Sequence, residues 1–502
     1  MKQSYCTGSS STPFADSTVS KFHFIGICGV AMASVAAELK RSGFTVTGSD
    51  SGFYPPMSVF LEEQGVPVMQ GFHPDNPPAD ALIVVGNALS RGNEELEAVL
   101  DRRLGLISLP ELIARRYLTS NIGSPDGLNN DHIRRRSVVV TGTHGKTTTT
   151  TMLAHILREN GRNPGWMVGG IPMDLPVPCE FGSGSEFVIE GDEYDTVYYD
   201  KRPKFLHYRP TFAILNSVEF DHADIYADFS AIDAAFRRFV RLLPRSGRLI
   251  VNGDDPNSMS IAEDSLCPTV TFGTGEHCQW RLESVSSNVG QIRSPRTGIS
   301  GCDESSVGGR VLPMKIQMLG QHNLLNGLAA VATACEIGVD VLDALKALET
   351  FRGVVRRLEL VIQSDELTIY DDFAHHPTAV EAALSAVRQR HPEQRIWALF
   401  EPRSYSMTKR IFMKPLTEAL QKADCVVLGK VHRQERIPET ERLDRRFVID
   451  ELRKSGVEAY IGGDAEEIIQ LIDEHRRSND VLVIMSNGGF GGLKQLLKRF
   501  VD

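Results

Sequence analysis

Residues 138–148 (VVVTGTHGKTT) form a glycine-containing turn between an apolar strand and a helix. Glycines let successive backbone N–H groups point toward one anion, and the N-terminus of the helix adds partial positive charge. In such a loop Lys146 would neutralise the terminal phosphates of a nucleotide, and the Thr147 hydroxyl would hold Mg²⁺. The general pattern has glycine five positions before the glycine that precedes the lysine. This chain has Val140 there, so Gly142 predicts a shortened phosphate loop.

Acidic side chains follow two apolar strands further along the chain. Glu190 comes directly after the apolar run 187–189, and a second apolar run at 211–215 precedes another acidic loop. Carboxylates at the mouth of a buried strand suit Mg²⁺, which prefers oxygen ligands. Acidic loops of this kind are also common as solvated surface, and that alternative stays open. The residues of the second loop whose side chains could hold a metal ion or carry a proton are Glu219, Asp221, His222 and Asp224.

A second glycine-containing turn lies near the start of the chain. Residues 26–31 (GICGVA) are similar to a dinucleotide fingerprint in which Cys28 and Ala31 replace two glycines. Asp50 follows Gly26 by 24 residues, at the spacing of a ribose-binding carboxylate. The altered fingerprint favours a nucleoside diphosphate at a helix N-terminus over NAD.

Composition excludes several classes of protein. The chain has 502 residues, 41% of them hydrophobic and 24% charged, with a formal net charge of −10. These values exclude a largely disordered chain and disfavour a nucleic-acid-binding protein. No apolar run is long enough to span a membrane, and the first twenty residues lack the apolar core of a signal peptide. The eight cysteines form no CxxC pair. We therefore expect reduced thiols in a cytoplasmic protein, and a monomer.

The order of predicted strands and helices indicates an α/β protein of three domains. We expect a disordered lead-in at 1–20, a Rossmann-like domain at 21–119, a central phosphate-loop domain at 120–350 and a second Rossmann-like domain at 351–502. Residues 120–136 are predicted to be a linker or inserted surface loop. The Ser- and Gly-rich stretch 288–309 is predicted to be an insertion loop.

With these motifs in order, the chain from residue 21 to 502 resembles the Mur ligase family. The segments that carry the resemblance are GICG (26–29) with Met32, TGTHGKTTT (141–149), EGDEYD (190–195), EFDHADIY (219–226), GQHNLLN (320–326), FRGVVRR (351–357), DDFAHHP (371–377) and SNGGFGG (486–492). The resemblance implies a UDP-binding first domain, a central ATPase domain and a peptide-binding third domain. It also implies ATP-dependent amide formation through an acyl phosphate in peptidoglycan metabolism, with Mg²⁺ as cofactor.

Within the family, the sequence is more similar to the ligases that join a preformed tripeptide, L-Ala-γ-D-Glu-meso-diaminopimelate, to UDP-N-acetylmuramate. The similarity to the ligases that add a single L-alanine is lower. Tyr405 and Ser406 depart from the Asn-Thr pair expected in the tripeptide branch. The segments that separate the branches are YPPMSVFLEEQG (54–65), GNALSRGN (86–93), EYDTVYYDKRPKFLHYRP (193–210) and EPRS (401–404).

The resemblance also implies roles for individual residues. The implied UDP-sugar-binding residues are Gly26, Cys28, Gly29, Val30, Ala31, Met32 and Asp50. The implied ATP-binding residues are Gly142, Thr143, His144, Gly145, Lys146, Thr147, Thr148, Asn323, Asn326 and Arg357. The implied catalytic residues are Lys146, Glu190, His222, Arg357 and Asp372, and the implied metal ligands are Thr147, Glu190 and His222. The implied peptide-binding residues are His375 and Arg403.

Several alternatives stay open at this point. The alanine-adding ligase is the nearest one, and a phosphate-loop switch or transport ATPase is an alternative of a different class. A Rossmann oxidoreductase would use the first turn but would leave Lys146 without a role. A helix-capping or helix-lining role for Asn323 and Asn326 and a pairing of Arg403 with Glu401 stay as alternatives, and His375 and His376 would equally form the turn before Pro377.

Overall fold

The computed structural model describes residues 19–53, 57–118, 135–286, 288–295 and 309–501. Most of the expected lead-in at 1–20 and of the expected insert at 120–136 lies outside these residues. Within them the strands form three large sheets and one small hairpin. The expected α/β fold built on three sheets is confirmed, while the boundaries of the domains stay predictions.

The first sheet has five parallel strands in the order β3-β2-β1-β4-β5. The order reverses at β1, so the turn after that strand opens at the crevice where doubly wound sheets bind ligands. The bounds are β1 (Lys21–Ile25), α1 (Val30–Arg41), β2 (Thr45–Asp50), α2 (Met57–Glu63), β3 (Val68–Gln70), β4 (Leu82–Val85), α3 (Glu94–Asp101), β5 (Leu106–Ser108) and α4 (Leu109–Ile113).

The central sheet has ten strands in the order β17-β16-β15-β14-β13-β12-β6-β9-β7-β8. The bounds are β6 (Arg136–Thr141), α5 (Lys146–Glu159), β7 (Gly165–Met167), β8 (Cys179–Glu180), β9 (Glu186–Glu190), the hairpin β10 (Asp195–Val197) and β11 (Asp200–Pro203), β12 (Phe212–Leu215), α6 (Phe229–Val240), β13 (Arg248–Asn252), α7 (Pro256–Ala262), β14 (Thr269–Gly273), β15 (Trp280–Ser286), β16 (Val289–Arg293), β17 (Val311–Lys315), α8 (Gln321–Ile337) and α9 (Val341–Glu349).

The prediction of an insertion loop at 288–309 is wrong for the first residues of that stretch. Val289–Arg293 forms β16, which pairs antiparallel with both β15 and β17. Gly290 and Ile292 face the core on alternate positions of this strand. The high Ser and Gly content of the surrounding stretch hid this short period-2 pattern. Residues 296–308 lie outside the described part of the chain.

The third sheet has six strands in the order β18-β19-β23-β20-β21-β22, and only β18 is antiparallel to its neighbour. The bounds are β18 (Glu359–Gln363), β19 (Leu367–Asp372), α10 (Pro377–Arg390), β20 (Ile396–Phe400), α11 (Met413–Leu420), β21 (Cys425–Leu428), α12 (Arg445–Lys454), β22 (Glu458–Ile461), α13 (Ala465–His475), β23 (Asp480–Met485) and α14 (Leu493–Val501).

Strand β6 lies inside the central sheet, between β12 and β9. Val138, Val139 and Val140 are fully buried, as expected for a parallel strand that is covered on both faces. The carboxyl ends of β6, β9 and β12 lie at one edge of the sheet because the three strands are parallel. This edge therefore brings together the phosphate loop and the two acidic loops that the sequence indicates.

None of the described helices is long and apolar enough to cross a membrane. The six cysteines within the described residues are free thiols, in agreement with the expectation of reduced cysteines.

Candidate active site between the three sheets

A cavity of about 1030 Å³ lies where loops from all three sheets meet. Most of the residues that the sequence indicates line this cavity. They are Cys28, Gly29, Val30, Ala31, Met32, Thr143, His144, Gly145, Lys146, Thr147, Thr148, Glu190, His222, Asn323, Asn326, Arg357, Asp372 and His375. Gly26, Asp50, Gly142 and Arg403 lie outside this lining.

The phosphate loop has the backbone conformation that its glycines permit. Gly142 and Gly145 have φ angles of 124° and 78°, which residues other than glycine rarely adopt. Gly145 is also crowded: a Cβ atom there would lie 2.3 Å from Asn326 Oδ1. The Thr143 N–H donates to the Ser217 carbonyl over 2.6 Å, which ties the loop to the segment after β12. The phosphate loop therefore packs against Asn326 of the α8 helix on one side and bonds to the segment after β12 on the other.

Lys146 is buried among carboxylates at the start of α5. Its Nζ donates to the Gly142 carbonyl over 2.6 Å and lies 2.8 Å from Glu193 Oε2. Burial disfavours the charged ammonium, but Glu193 and Asp192 outweigh this and hold the pKa of Lys146 above its ordinary value. The ammonium therefore stays charged at the mouth of the phosphate loop.

Glu190 lies beside the hydroxyl of Thr147. Thr147 Oγ1 donates to Glu190 Oε1 over 2.9 Å, and the Gly169 N–H donates to Glu190 Oε2 over 2.8 Å. Burial raises the pKa of Glu190, and Lys146 only partly offsets this effect. Arg357 Nη2, from the segment that leads into the third sheet, donates to the same Thr147 hydroxyl over 3.2 Å. Carboxylate and hydroxyl oxygens thus meet at the first turn of α5.

His222 completes a chain of buried charges with Glu193. Its Nε2 donates to Glu193 Oε1 over 3.0 Å. Burial disfavours the imidazolium, but the hydrogen bond to Glu193 outweighs this and raises the pKa of His222. His222 also has a left-handed φ of 55°, and backbone strain of this kind concentrates at functional sites.

The loop after β1 is organised by Asp50. One carboxylate oxygen accepts from the Cys28 N–H over 2.9 Å and the other accepts from the Gly52 N–H over 2.9 Å. Asp50 therefore shapes the loop that precedes α1, and Gly26 supports the same turn with a φ of 82°.

The two asparagines of α8 form a buried chain beneath the phosphate loop. Asn323 Nδ2 donates to the Leu319 carbonyl over 2.8 Å, and Asn326 Nδ2 donates to Asn323 Oδ1 over 3.2 Å. Asn326 Oδ1 accepts from Thr149 Oγ1 over 3.2 Å. The amides line the cavity and also fix α8 against α5.

Asp372 ends β19 and holds two loops of the third sheet together. Its carboxylate accepts from the Leu358 N–H and the Ala374 N–H, each over 2.6 Å. Burial raises the pKa of Asp372 to about 6, and Arg357 partly offsets this effect. His375 Nδ1 lies 3.0 Å from the Phe373 carbonyl, and burial lowers the pKa of His375.

Arg403 lies outside the cavity lining, at the carboxyl end of β20. Its Nη1 donates to Glu401 Oε1 over 3.5 Å. The side chain also packs against Gly488, where a Cβ atom would lie 2.1 Å from Arg403 Nε. About a third of the side chain is exposed. Arg403 thus makes the contact with Glu401 that the sequence analysis gave as an alternative. Part of its side chain is nevertheless accessible.

Two contacts join the central sheet to the third sheet across the cavity. Ser406 Oγ donates to Asp221 Oδ1 over 2.8 Å, and Thr378 Oγ1 donates to Glu219 Oε2 over 2.7 Å. Ser406 departs from the Asn-Thr pair expected in the tripeptide branch, and its hydroxyl makes this contact. The acidic loop after β12 therefore docks on the third sheet.

Four helices begin at the cavity without a side-chain cap: α1, α5, α8 and α10. Three of them have glycine at the N-cap position, where no side chain can satisfy the first amide groups. Helices α6, α7 and α9 are instead capped by Asp228, Asp255 and Asp340. Open N–H groups and the helix dipole make such ends suited to anions.

Sequence reasoning gave no separate role to Glu193, Asp192 or Lys204. Lys204 Nζ lies 2.5 Å from Asp192 Oδ2, and this ion pair lowers the pKa of Asp192 to about 2 despite burial. Glu193 and Asp192 fall within the recognised EGDEYD segment, which was the available signal. Lys204 has no local motif that would indicate its position.

Comparison with known proteins agrees with this geometry. The Mur ligase family catalytic domain matches residues 21–117, the Mur ligase middle domain matches 140–334 and the Mur ligase glutamate ligase domain matches 356–488. The chain is 37% identical over 484 residues to UDP-N-acetylmuramate–L-alanyl-γ-D-glutamyl-meso-2,6-diaminoheptandioate ligase of Escherichia coli (strain K12), with 95% of this chain and 97% of that protein covered. The chain belongs to the Mur ligase family. Members of this family are ATP-dependent ligases that form carbon–nitrogen bonds.

Two solved Mur ligase structures cover nearly the whole chain. The murein peptide ligase Mpl of Psychrobacter arcticus 273-4 has 33% identity and a TM-score of 0.70, with 95% of this chain and 98% of that chain covered. The UDP-N-acetylmuramate-alanine ligase MurC of Thermotoga maritima has 25% identity and a TM-score of 0.75, with 96% and 99% covered. The sequence identity is thus higher to the murein peptide ligase, whereas the TM-score is higher for the alanine ligase.

The crowding at Gly145 predicts a sharp mutational contrast between the glycines that flank α5. Gly145→Ala should lower turnover at least tenfold and the free energy of unfolding by about 1–3 kcal/mol, because the new Cβ atom meets Asn326 at a left-handed φ. Gly161 also has a left-handed φ, of 69°, but no atom lies within 4 Å of its Cβ position. Gly161→Ala should therefore cost about 1 kcal/mol and keep its activity. Urea unfolding gives the free energy of unfolding of each variant, and steady-state rates give its turnover. Near-wild-type activity of Gly145→Ala would contradict the assigned loop geometry.

Proposed function

We propose that this chain joins UDP-N-acetylmuramate to the tripeptide L-Ala-γ-D-Glu-meso-diaminopimelate, with ATP and Mg²⁺, in peptidoglycan recycling. The observation that carries the proposal is the single cavity that connects an uncapped helix of the first sheet, the phosphate loop and the loops of the third sheet. The identity of 37% to the Escherichia coli ligase that is named for this tripeptide supports the choice of acceptor. We place the enzyme in the cytoplasm, as a monomer.

The nucleotide would bind at the start of α5. Its phosphates would receive the open amide groups of Lys146, Thr147 and Thr148, and the Lys146 ammonium would face the terminal phosphate. Lys146 pairs with Glu193 in the structure. An incoming phosphate would therefore replace Glu193 as the anionic partner of Lys146, and the lysine would not have to become exposed. Asn323 and Asn326 would contact the nucleotide from α8.

The oxygen atoms near α5 fit a magnesium ion. Thr147 Oγ1 and Glu190 Oε1 lie 2.9 Å apart, and oxygen ligands are those that Mg²⁺ prefers. We assign Thr147, Glu190 and His222 as the residues that would hold the metal. The ion supplies charge neutralisation on the phosphate oxygens.

The uridine diphosphate would rest on α1. Gly29 is its N-cap residue and offers no side chain, so the amides of Val30, Ala31 and Met32 are open to a pyrophosphate. Cys28 completes the loop, and Asp50 and Gly26 hold its shape. This placement directs the sugar acid toward the phosphate loop, because both helix ends line the same cavity.

A carboxylate is a poor acyl donor, because its charge repels an amine and an oxide is a poor leaving group. One carboxylate oxygen of the sugar acid therefore attacks the γ-phosphorus of ATP, and ADP leaves. The amine of the peptide then attacks the carbonyl carbon of the acyl phosphate, loses a proton, and phosphate departs. Lys146 and Arg357 would stabilise the charge that moves onto the phosphoryl oxygens, and Asp372 would hold the third domain in place.

The third sheet would present the peptide. Arg403 follows β20, whose carboxyl end lies next to that of β23. A guanidinium suits a peptide carboxylate because its forked donors reach both oxygens. His375 lines the cavity and would contact the amine end of the acceptor.

The alanine-adding ligase is the second candidate, and the TM-score of 0.75 to the Thermotoga maritima enzyme favours it. The same phosphate loop and helix ends would serve both reactions. The acceptor therefore decides between the two functions.

Lys146→Ala should lower kcat by about 10²–10³-fold, because a charge aimed at the transferring phosphoryl group acts mainly in the transition state. The circular dichroism spectrum should stay that of the wild type. Lys346→Ala, on the exposed face of α9, is the matched control and should turn over normally. A kcat of Lys146→Ala within a factor of three of the wild type would remove the phosphate-loop assignment.

Activity should require Mg²⁺ or Mn²⁺, and His222→Ala should raise the metal concentration at half-maximal rate. The reason is that the variant loses one proposed metal contact and the partner that holds Glu193. Rates measured across a Mg²⁺ titration check this, with His73→Ala as the control because His73 is exposed on the first domain. Superimposable titration curves for His222→Ala and the wild type would make His222 a structural loop residue.

The tripeptide should be strongly preferred to free L-alanine as acceptor. Arg403→Ala should raise the KM for the tripeptide by about tenfold to a hundredfold, the loss expected for a charge-assisted contact of about 1.5–3 kcal/mol. The KM for UDP-N-acetylmuramate should change much less, and Arg446→Ala on the exposed start of α12 should change neither. Equal ligation of L-alanine and tripeptide would transfer the assignment to the alanine-adding ligase and remove the role of Arg403.

A further inference from the structure

Three side chains from three loops meet where the central sheet contacts the third sheet. His144 comes from the phosphate loop, Glu219 from the loop after β12, and His376 from the residue that precedes α10. Glu219 Oε2 lies 3.4 Å from His144 Nε2 and 3.5 Å from His376 Nδ1. The three residues offer ligand atoms that all lie within 4.8 Å of one another. We call these residues the His-Glu-His cluster.

His376 is the member whose surroundings are unexplained. It is 6% exposed, and among the residues that the structure describes neither of its ring nitrogens has a hydrogen-bond partner. A buried polar group without a partner costs free energy, and buried polar groups in proteins are nearly always paired. The distance of 3.5 Å to Glu219 exceeds the usual range of a hydrogen bond. The proposed ligase chemistry gives His376 no role that would offset this cost.

The nitrogen–oxygen spacing of the cluster also fits a bound metal. The contact of His144 with Glu219 is a long hydrogen bond, whereas the contact of His376 with Glu219 is too long for one. Zn²⁺ binds imidazole nitrogen at about 2.0–2.1 Å and carboxylate oxygen at about 2.0–2.2 Å. In a tetrahedron these bond lengths place neighbouring ligand atoms about 3.3–3.5 Å apart. The two nitrogen–oxygen distances of 3.4 and 3.5 Å have this value. The Thr378 hydroxyl donates to the same carboxylate oxygen and would fix its orientation, as outer contacts of metal ligands do.

We propose that His144, Glu219 and His376 form a binding site for a transition metal of the Zn²⁺ class, which joins the phosphate loop to the third domain. Two imidazoles and one carboxylate leave a fourth position for water, the arrangement of an accessible zinc site. The site shares no residue with the proposed magnesium ligands Thr147, Glu190 and His222, of which the first two offer oxygen atoms that suit a harder cation.

The charges around the cluster are compatible with a bound cation. Burial and the nearby His144 lower the pKa of His376 to about 4, so its imidazole is neutral at pH 7 and has a lone pair to offer. The N-terminus of α10 opposes a cation at this position. Glu219 and Asp221 offset it, and both have pKa values well below the ordinary range for a carboxyl group despite burial.

A metal at this site would affect turnover through the phosphate loop. His144 lies between Thr143 and Gly145 in that loop, while His376 is the residue before α10, which packs on the third sheet. The bound ion would therefore tether the two and resist any separation that admits ATP or releases ADP. We expect micromolar Zn²⁺ to inhibit ligation in excess Mg²⁺, and a chelator to restore the rate.

Cobalt is the probe that separates this site from the magnesium site. Tag-free protein is stripped of metal and titrated with Co²⁺ in excess Mg²⁺, and the visible absorption is followed. A four-coordinate ion at the cluster gives an intense absorption band that saturates near one equivalent, whereas a six-coordinate ion among oxygen ligands absorbs weakly. His376→Ala and Glu219→Gln should abolish the intense band. His375→Ala is the matched control, because that imidazole contacts the Phe373 carbonyl and lies outside the cluster.

Other results would overturn the proposal. They are a weak band in the wild type, an intense band that survives both cluster variants, and a band that disappears in Cys278→Ser, which would place the ion at Asp254, His277 and Cys278 instead. The thermal midpoint reads out the same site independently of the spectrum. Zn²⁺ should raise Tm in the wild type and in His375→Ala but not in His144→Asn, and an equal rise in His144→Asn would contradict the assignment.

Discussion

The pairing of a buried lysine with buried carboxylates is the constraint on which the rest of the site depends. A buried charge costs several kcal/mol unless a partner of opposite charge lies close to it. Lys146 meets this requirement through Glu193, and Glu193 is held in turn by His222. The three residues come from loops that follow different strands of the central sheet. The charge balance at the start of α5 therefore ties these loops to one another.

The geometry of helix ends extends this arrangement to the other two sheets. Helices α1, α5, α8 and α10 begin at one cavity and lack side-chain caps. Their open amide groups suit a reaction whose substrates carry a pyrophosphate and a triphosphate. The contacts of Asp221 with Ser406 and of Glu219 with Thr378 set the third sheet against this cavity. The three domains therefore contribute to one site, each supplying contacts that the others lack.

Local sequence predicted those parts of the site that a single strand and turn determine. The phosphate loop, Glu190 and His222 were located because each directly follows a buried strand or lies in a recognised segment. The ion pair of Asp192 with Lys204 and the unpaired nitrogens of His376 depend on how separate loops pack, and no local pattern encodes that. Strand β16 was missed because its short alternation lies within a Ser- and Gly-rich stretch. Glycine φ angles at positions 142 and 145 follow from the loop motif, whereas the crowding by Asn326 required the fold.

In the proposed reaction the carboxylate of the sugar acid is phosphorylated before the peptide attacks it. Such a step transfers one oxygen atom from that carboxylate to the released phosphate, and an oxygen isotope makes the transfer visible. UDP-N-acetylmuramate labelled with ¹⁸O in its carboxylate is turned over with ATP and the tripeptide, and the released phosphate is analysed by mass spectrometry. The account predicts one ¹⁸O atom in each phosphate, because the attacking oxygen leaves with phosphorus when the amide forms. Unlabelled phosphate, released at the same rate with or without the tripeptide, would contradict it and indicate hydrolysis of ATP by water.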